Sequence, residues 1–381
     1  MPKTRKLLSI GHSYVVSLNR RLVNEMSLLG QGEWEVTAVA PAFMYGDLRP
    51  IHLEPEPHEI AHLESVPVYN SQYIHFMTYG WRLREIIMQR NWDLVHCWEE
   101  PYILAGGQVA WWLSEGTPLV YRTAQSKYKL YPPPFNWIEN YAMSRAAGCI
   151  YSGNTVAEAL KHRPGYSLPM RMIPLGVDIN HFYPSIEAKH KIRHLLGWEE
   201  KEIPVIGYLG RLTEAKGLKL LMSVLDSLET PWRALFIGTG VMEPSLQTWA
   251  KRYPDQIRIC TEVKHNEVSL YLNAMDMLVA PSQTMHNWRE QFGRMLIEAF
   301  ACGIPVIGSD SGEIPYVIED AGLVVGEKDK VGWVKAISDL LNSPSQRREL
   351  GHKGLERSHK LYSWSSVAKQ YLQFFTELVD R

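Results

Sequence analysis

The sequence predicts an α/β protein built from two doubly wound, Rossmann-like domains. Three observations lead there. The 381 residues exceed the roughly 100–200 that a single core usually organises. Strand-like runs alternate with segments of helical spacing along nearly the whole chain. The alternation breaks once, near residue 180, and then restarts. The 45% hydrophobic and 21% charged fractions are those of a soluble globular chain and exclude long disorder, collagen and coiled coil.

In order, residues 6–10 read as a first strand and 15–29 as a helix, with Gly30 placed to end it. A strand over 34–40 follows. Residues 93–96 and 119–121 read as short buried strands separated by a helix through 104–113. A strand over 148–152 precedes a helix over 155–161. Pro174-Leu175-Gly176-Val177-Asp178 and Tyr183-Pro184 form a loop-like passage where the pattern breaks, followed by an amphipathic helix over 186–196. The second half then reads as strand 205–209, helix 218–228, strand 232–237, helix 243–251 and strand 256–260. It continues with helix 268–274, strand 277–280, helix 293–301 and strand 305–308. A last helix over 363–378 follows a segment rich in Lys and Arg. Such repetition implies parallel sheets covered on both faces. Ligands of these sheets bind beyond the carboxyl ends of the strands, so the expected active site is a cleft across which the two domains face each other. The expected domains are 1–178, 179–360 and a C-terminal helix, 361–381, packing back toward the first domain.

Forty basic and forty-one acidic residues give a net charge of −1, which offers no excess cation for a nucleic-acid backbone. Thirteen Trp and nineteen Tyr suit a carbohydrate or amphipathic ligand, or a rich core. Cys97, Cys149, Cys260 and Cys302 match neither a zinc pattern nor a disulfide scaffold and read as reduced, cytosolic thiols. The first apolar run is broken by Gly11-His12-Ser13 and closed by Asn19-Arg20-Arg21, without a cleavage site, so it reads as a strand and not as a signal peptide. The longest nearly apolar stretch, 103–113, is about half a membrane span. A cytoplasmic protein is expected.

The chemistry concentrates in the second half. In Glu290-Gln291-Phe292-Gly293-Arg294-Met295-Leu296-Ile297-Glu298-Ala299, a helix opens near Gly293, where free N–H groups attract an anion and glycine allows close approach. From Gly293 to Glu298 a helix rises about 7.5 Å, roughly the reach of a diphosphate, so Glu298 can meet a ribose while Glu290 meets a sugar. An ordinary amphipathic helix with an acid at its start fits the same residues. In Gly207-Tyr208-Leu209-Gly210-Arg211-Leu212-Thr213-Glu214-Ala215-Lys216-Gly217, two cations follow a buried strand. They either hold a diphosphate, Arg211 as a planar fork and Lys216 as a point charge, or are solvated on a surface loop.

Together these segments resemble the retaining glycosyltransferases of family 4, which have the two-domain GT-B fold. The family's Glu-x7-Glu element is matched by Glu290 and Glu298, and its Gly-Arg-Leu…Lys-Gly element by Gly210-Arg211-Leu212…Lys216-Gly217. Pro174-Leu175-Gly176-Val177-Asp178 looks like its interdomain passage. Gly303-Ile304-Pro305-Val306-Ile307 and Ser309-Asp310-Ser311-Gly312-Glu313-Ile314-Pro315 look like its continuation. The motif match runs from about 173 to 325.

The resemblance implies transfer of a hexose-type sugar from a nucleotide diphosphate, with UDP favoured, to a hydroxyl of a carbohydrate, glycolipid or small-molecule acceptor, keeping the anomeric configuration. By that analogy Arg211 and Lys216 hold the diphosphate, Glu290 the donor sugar and Glu298 the ribose. Phe292, Gly293, Arg294, Gly210, Gly238, Gly240 and Val263 line the donor site, and His96 matches a family histidine that reaches the donor sugar. Neither metal nor cofactor is expected, and the leaving phosphate itself takes the acceptor proton, although Glu290 as a covalent nucleophile stays open.

The family's amino-terminal glycine pair is absent. Gly11, His12, Tyr14 and Arg122 are assigned to the acceptor. The aromatic passage from Tyr128 to Trp137 is either part of that pocket or a packed loop. Glu99 and Glu100 either bind the acceptor or cap the following helix, and the cap is the favoured reading. Gly238-Thr239-Gly240 lacks the third glycine of a dinucleotide fingerprint, because Glu243 stands there. Rival readings are a nucleotide-sugar epimerase or phosphorylase on the same fold and a non-catalytic sugar-nucleotide-binding partner of another transferase. The helix over 186–196, with Lys189, Lys191 and Arg193, is either a peripheral membrane contact or a solvated basic face.

Overall fold

The computed structural model describes residues 4–46, 50–163, 165–198 and 203–381. The chain divides into two compact units, Met1–Gly176 with Trp364–Arg381, and Val177–Ser363.

The first unit runs β1 (Arg5–Ile10), α1 (Ser17–Leu29), β2 (Trp34–Pro41), β3 (Phe43–Tyr45), β4 (Pro50–His52), β5 (His62–Val66), β6 (Val68–Tyr69), β7 (Thr78–Tyr79), α2 (Trp81–Gln89), β8 (Leu94–Cys97) and α3 (Leu104–Trp112). Then come β9 (Leu119–Thr123), α4 (Phe135–Arg145), β10 (Gly148–Tyr151), α5 (Asn154–Leu160), β11 (Met170–Met172) and the C-terminal helix α14 (Trp364–Val379). Seven strands form one parallel sheet in the order β11-β10-β9-β8-β1-β2-β5. The pairs β3–β4 and β6–β7 are short antiparallel ladders.

The period-2 alternation of the strands sorts their side chains between two helical layers. Leu8 and Ile10 pack with Leu83, Val109 and Met143 on one face, while Leu7 packs with Leu22, Val23 and Phe375 on the other. α14 covers the second face with Trp364, Val367, Ala368, Tyr371, Phe375 and Leu378 at helical spacing.

The second unit runs α6 (Ile186–Leu195), β12 (Val205–Leu209), α7 (Leu218–Leu225), β13 (Arg233–Ile237), α8 (Glu243–Ala250), β14 (Ile257–Cys260), α9 (Val268–Asn273), β15 (Met277–Ala280), α10 (Arg294–Ala301) and β16 (Val306–Ser309). It ends with α11 (Ile314–Ile318), β17 (Gly322–Val325), α12 (Lys330–Asn342) and α13 (Pro344–Arg357). Its six strands are parallel in the order β14-β13-β12-β15-β16-β17.

Each sheet therefore has one place where the strand order reverses, between β1 and β8 in the first unit and between β12 and β15 in the second. Such switch points open a crevice at the carboxyl ends of the strands. The sequence pattern left out the short strands β3, β4, β5, β6, β7, β11 and β17, the helices α2, α4 and α11, and also α12 and α13, whose starts are set by side-chain caps. Asp329 accepts from the Gly332 N–H at 2.9 Å and Ser343 from the Gln346 N–H at 3.3 Å. No helix of the described residues is long and apolar enough to cross a membrane.

Candidate active site

At the switch point of the second unit, the loop after β12 meets the loop after β15. The Lys216 ammonium donates to Glu290 Oε2 at 2.5 Å, and Ser282 Oγ donates to the same oxygen at 3.0 Å. Both members of the ion pair are largely buried, with side-chain exposures of 13% and 9%. Lys216 also lies 5.0 Å from the centre of the Trp288 ring. Further bonds fix the loops around the pair. The Gln283 N–H donates to the Ala215 carbonyl at 2.7 Å, and the Tyr208 hydroxyl to the Arg211 carbonyl at 2.7 Å.

Behind Glu290 stands the turn after β16. The Glu313 N–H donates to the Glu290 carbonyl at 3.0 Å. Gly312 has φ +60°, and a Cβ there would lie 2.0 Å from that same carbonyl oxygen. Only glycine both adopts this backbone and lets the chain pass so close. The carboxylate is thus positioned from in front by Lys216 and Ser282 and from behind by the β16 turn.

Gly293 directly precedes α10, so the amino-terminal end of that helix begins four residues after Glu290, with the Leu296 N–H donating to the Gly293 carbonyl at 2.9 Å. Arg294 opens the helix, and Glu298 sits one turn further on, 7% exposed. Burial raises the Glu298 carboxyl to about 7, with the Arg294 charge pulling the other way. Arg211 is exposed beyond β12. Gly238 and Gly240, after β13, abut the carbonyls of Gly210 and Leu212, so this Gly-x-Gly pair packs one strand-end turn on the next. Val263 lies past the end of the outer strand β14.

The Phe292 side chain is 4% exposed and meets Tyr362 edge-on at 5.9 Å. Its assigned donor contact is corrected: the ring belongs to the core and only its backbone borders the loop. Ser282 and Trp288 were not picked out from sequence as site residues. Their signal was position alone, Ser282 at a strand end and Trp288 two residues before Glu290.

The first unit uses its own switch point in a similar way. Glu99 is fully buried and accepts from the His12 N–H at 2.6 Å, from His12 Nδ1 at 2.5 Å and from the Tyr79 hydroxyl at 2.5 Å. Glu100 accepts from Thr123 Oγ1 at 2.7 Å and the Ala124 N–H at 2.8 Å. Neither caps α3, whose N-cap is Ile103 without a side-chain bond. That expectation is corrected as well, because both acids turn back onto neighbouring strand ends. Gly11 presses against Trp98, whose Cβ would be 3.1 Å from a Cβ added at position 11.

Three further assignments change. His96 shares its strand face with Leu94, the face covered by α14, and is fully buried. Its Nδ1 is 2.8 Å from Ser9 Oγ, and its ring packs against Tyr371 and Phe375 at 5.3 and 5.6 Å. Burial, aided by the Arg122 charge, lowers its pKa to about 3. His96 is a neutral, fully buried residue of this face. Tyr14 is equally buried, with its hydroxyl 2.8 Å from Ser9 Oγ. Arg122, on the same face of β9, donates to the Tyr371 hydroxyl at 3.0 Å and lies 4.6 Å over the Trp98 ring. Of the four residues assigned to the acceptor, His12 keeps a side chain partly open to solvent, Gly11 offers only backbone, and Tyr14 and Arg122 are interior.

Two parallel α/β units with loops converging at their switch points define the class. The family model described as "Glycosyl transferases group 1" matches residues 190–357, and that of "Glycosyltransferase Family 4" matches 18–181. The chain belongs to the family 4 glycosyltransferases and has the GT-B fold. It is 26% identical to a D-inositol 3-phosphate glycosyltransferase of Segniliparus rotundus over 75% of this chain and 67% of that protein. It is 30% identical to a GDP-mannose-dependent monoacylated alpha-(1-6)-phosphatidylinositol monomannoside mannosyltransferase of Corynebacterium glutamicum, over 52% of this chain and 54% of that one. Among solved structures, Anabaena HepE in complex with UDP and glucose superposes with a TM-score of 0.74 at 16% identity, covering 98% of this chain and all of that one. The match to the second relative thus spans about half of that protein's length.

Proposed function

We propose that the protein transfers a hexose from a nucleotide diphosphate sugar, with UDP as the carrier, to a hydroxyl of a carbohydrate, glycolipid or small-molecule acceptor with retention of anomeric configuration. The observation that carries this reading is the meeting of Lys216 and Glu290 in front of the first turn of α10. Lys216, Arg211 and the positive end of the α10 dipole offer positive charge to a diphosphate. Glu290 is held where it can accept hydrogen bonds from sugar hydroxyls. Glu298, one turn along α10, is available to a ribose.

In this reading the enzyme works by charge stabilisation. The bond from the anomeric carbon to the phosphate oxygen lengthens first, and fixed cations and helix N–H groups take up the developing negative charge, which needs no metal. The leaving phosphate then accepts the proton of the acceptor hydroxyl on the same face. The new glycosidic bond forms there, which preserves the configuration. Lys216 neutralises Glu290 before the donor arrives, so the incoming diphosphate competes for that cation.

The names of related proteins support both the donor class and the breadth of acceptors. One relative is described as GDP-mannose-dependent with a phosphatidylinositol mannoside acceptor, and HepE was solved with UDP and glucose. The test is a panel of UDP-, GDP- and ADP-sugars scored by nucleoside diphosphate release with and without acceptor, with the product's anomeric configuration read by NMR. UDP release from one donor and a retained configuration are expected. Inversion, or no release from any donor, contradicts the proposal.

A further inference from the structure

We propose that the first unit docks on an anionic phospholipid surface through the groove between α3 and α4, with an acyl chain lying in the groove. The groove holds about 620 Å³ and runs along both helices. Its walls are two matching stripes. Leu104, Gly107, Gln108 and Trp111 of α3, and Pro134, Trp137, Ile138 and Tyr141 of α4, each fall at i, i+3, i+4 and i+7. That spacing marks one helix face, and here a mostly apolar face of each helix is turned outward, while Ala105, Val109 and Ala110 on the other side of α3 fill the core.

Gly107 sets the depth. A Cβ at this position would lie 2.5 Å from Ile138 Cγ2, so the absence of a side chain brings the two helices together as the floor. Gln108 is spent on Tyr79, pairing with its N–H at 2.7 Å and its carbonyl at 2.9 Å. The remaining walls are chiefly apolar, which suits a hydrocarbon chain and not a sugar, whose hydroxyls need polar partners.

What surrounds the groove identifies the occupant. Trp111 is 74% exposed, Trp137 65%, and Trp81 of the adjoining α2 61%, a cluster of large apolar rings uncommon on a soluble surface. Trp81 meets Trp112 at 6.3 Å, which makes the patch continuous from α2 to α3. On the other side, Leu130 in the loop before α4 is 82% exposed. Residues 73–90 and 127–145 hold six Lys and Arg against two acids, in a chain whose net charge is −1. Glu139 is buried against Arg163, Arg82 pairs with Glu64 and Glu85, and Arg90 pairs with Glu35, so Arg84 and Lys129 are cations near the groove's rim that no acid among the described residues is seen to pair. The Arg84 guanidinium sits 4.4 Å over the Trp81 ring. Amphipathic rings beside cations are the composition of an interfacial anchor for anionic headgroups.

This surface differs from the basic helix α6 in the second unit, and the inference does not depend on donor chemistry.

The experiment is sedimentation of the full chain with phosphatidylcholine vesicles, with or without phosphatidylglycerol, followed by Trp fluorescence with brominated acyl chains. Partitioning about tenfold stronger with the anionic lipid is expected, with quenching by the brominated chains. The double variant Trp111→Glu, Trp137→Glu should lose both signals, and Arg82→Glu, Arg84→Glu should lose the anionic preference. Unchanged circular dichroism confirms that these exposed substitutions leave the fold intact. Absence of binding, binding unaltered by the Trp pair, or a lipid-independent dimer that the Trp pair abolishes would overturn the proposal; the dimer would assign the groove to a second copy of the chain.

Discussion

Lys216 and Glu290 stand 74 residues apart in sequence, yet their side chains meet at 2.5 Å across the switch point between β12 and β15. With both ends largely buried, removing either leaves a charge without its partner, at a cost of about 3–5 kcal/mol. Lys216→Ala and Glu290→Ala should each lower stability, and the double variant should be more stable than the summed losses by at least about 1 kcal/mol. Chemical unfolding of the four proteins measures this. Additive losses would show that the pair does not form in solution.

Glu298 gives the fold a pH dependence of defined sign. Its folded-state pKa of about 7 lies above the ordinary 4.5, so the folded protein holds that proton more tightly. The group costs nothing below about pH 4.5, and the penalty grows to roughly 3 kcal/mol above pH 7. Glu298→Gln, which cannot ionise, should therefore match the parent at pH 4.5 and exceed it in stability at pH 8. Parallel stability curves for the two proteins across that range would rule the effect out.

His96 has the opposite signature. Its pKa falls to about 3 in the fold, so protonation favours the unfolded chain, and stability is lost as pH drops from about 6.5 toward 3, by roughly 2 kcal/mol at pH 5. His96→Gln should lack that loss while retaining sugar transfer per folded molecule at neutral pH. A large fall in turnover with unchanged stability would instead return His96 to the active site.

Gly312 supports Glu290 from behind. Gly312→Ala puts a Cβ where the Glu290 carbonyl oxygen lies, at 2.0 Å, and the loop must shift. Displacement of a reacting group by about 1 Å costs on the order of 100-fold in rate. Turnover should fall by about that factor with secondary structure preserved, as steady-state kinetics and circular dichroism will show. Near-normal turnover would mean that Glu290 needs no such support.

Much of the second unit was legible because its chemistry and its fold use the same stretches of chain. Gly210 to Gly217 begins at the end of β12, and Glu290 to Glu298 spans the end of the loop after β15 and the start of α10, so strand–helix alternation placed both beyond the carboxyl ends of strands. What sequence spacing did not show was that Lys216 and Glu290 pair with each other, because that depends on the non-sequential neighbours β12 and β15. In the first unit the misreadings share one cause. His96 and Arg122 lie at or near strand ends, where ligands bind, but their parity matches Leu94 and Val120, whose face α14 covers from the far end of the chain. A helix more than 240 residues away in sequence decides their burial. Alternation within β8 and β9 held that information once it was combined with the expected return of the C-terminal helix to the first domain.

The central claim is that the second unit holds a nucleotide diphosphate between the β12 loop and the start of α10. Calorimetric titration of UDP-sugars into the protein and into the Arg211→Ala, Lys216→Ala variant tests it most directly. Saturable binding to the parent, weakened by about 30-fold or more in the variant, is the predicted result. Equal affinity for the two proteins would contradict the account.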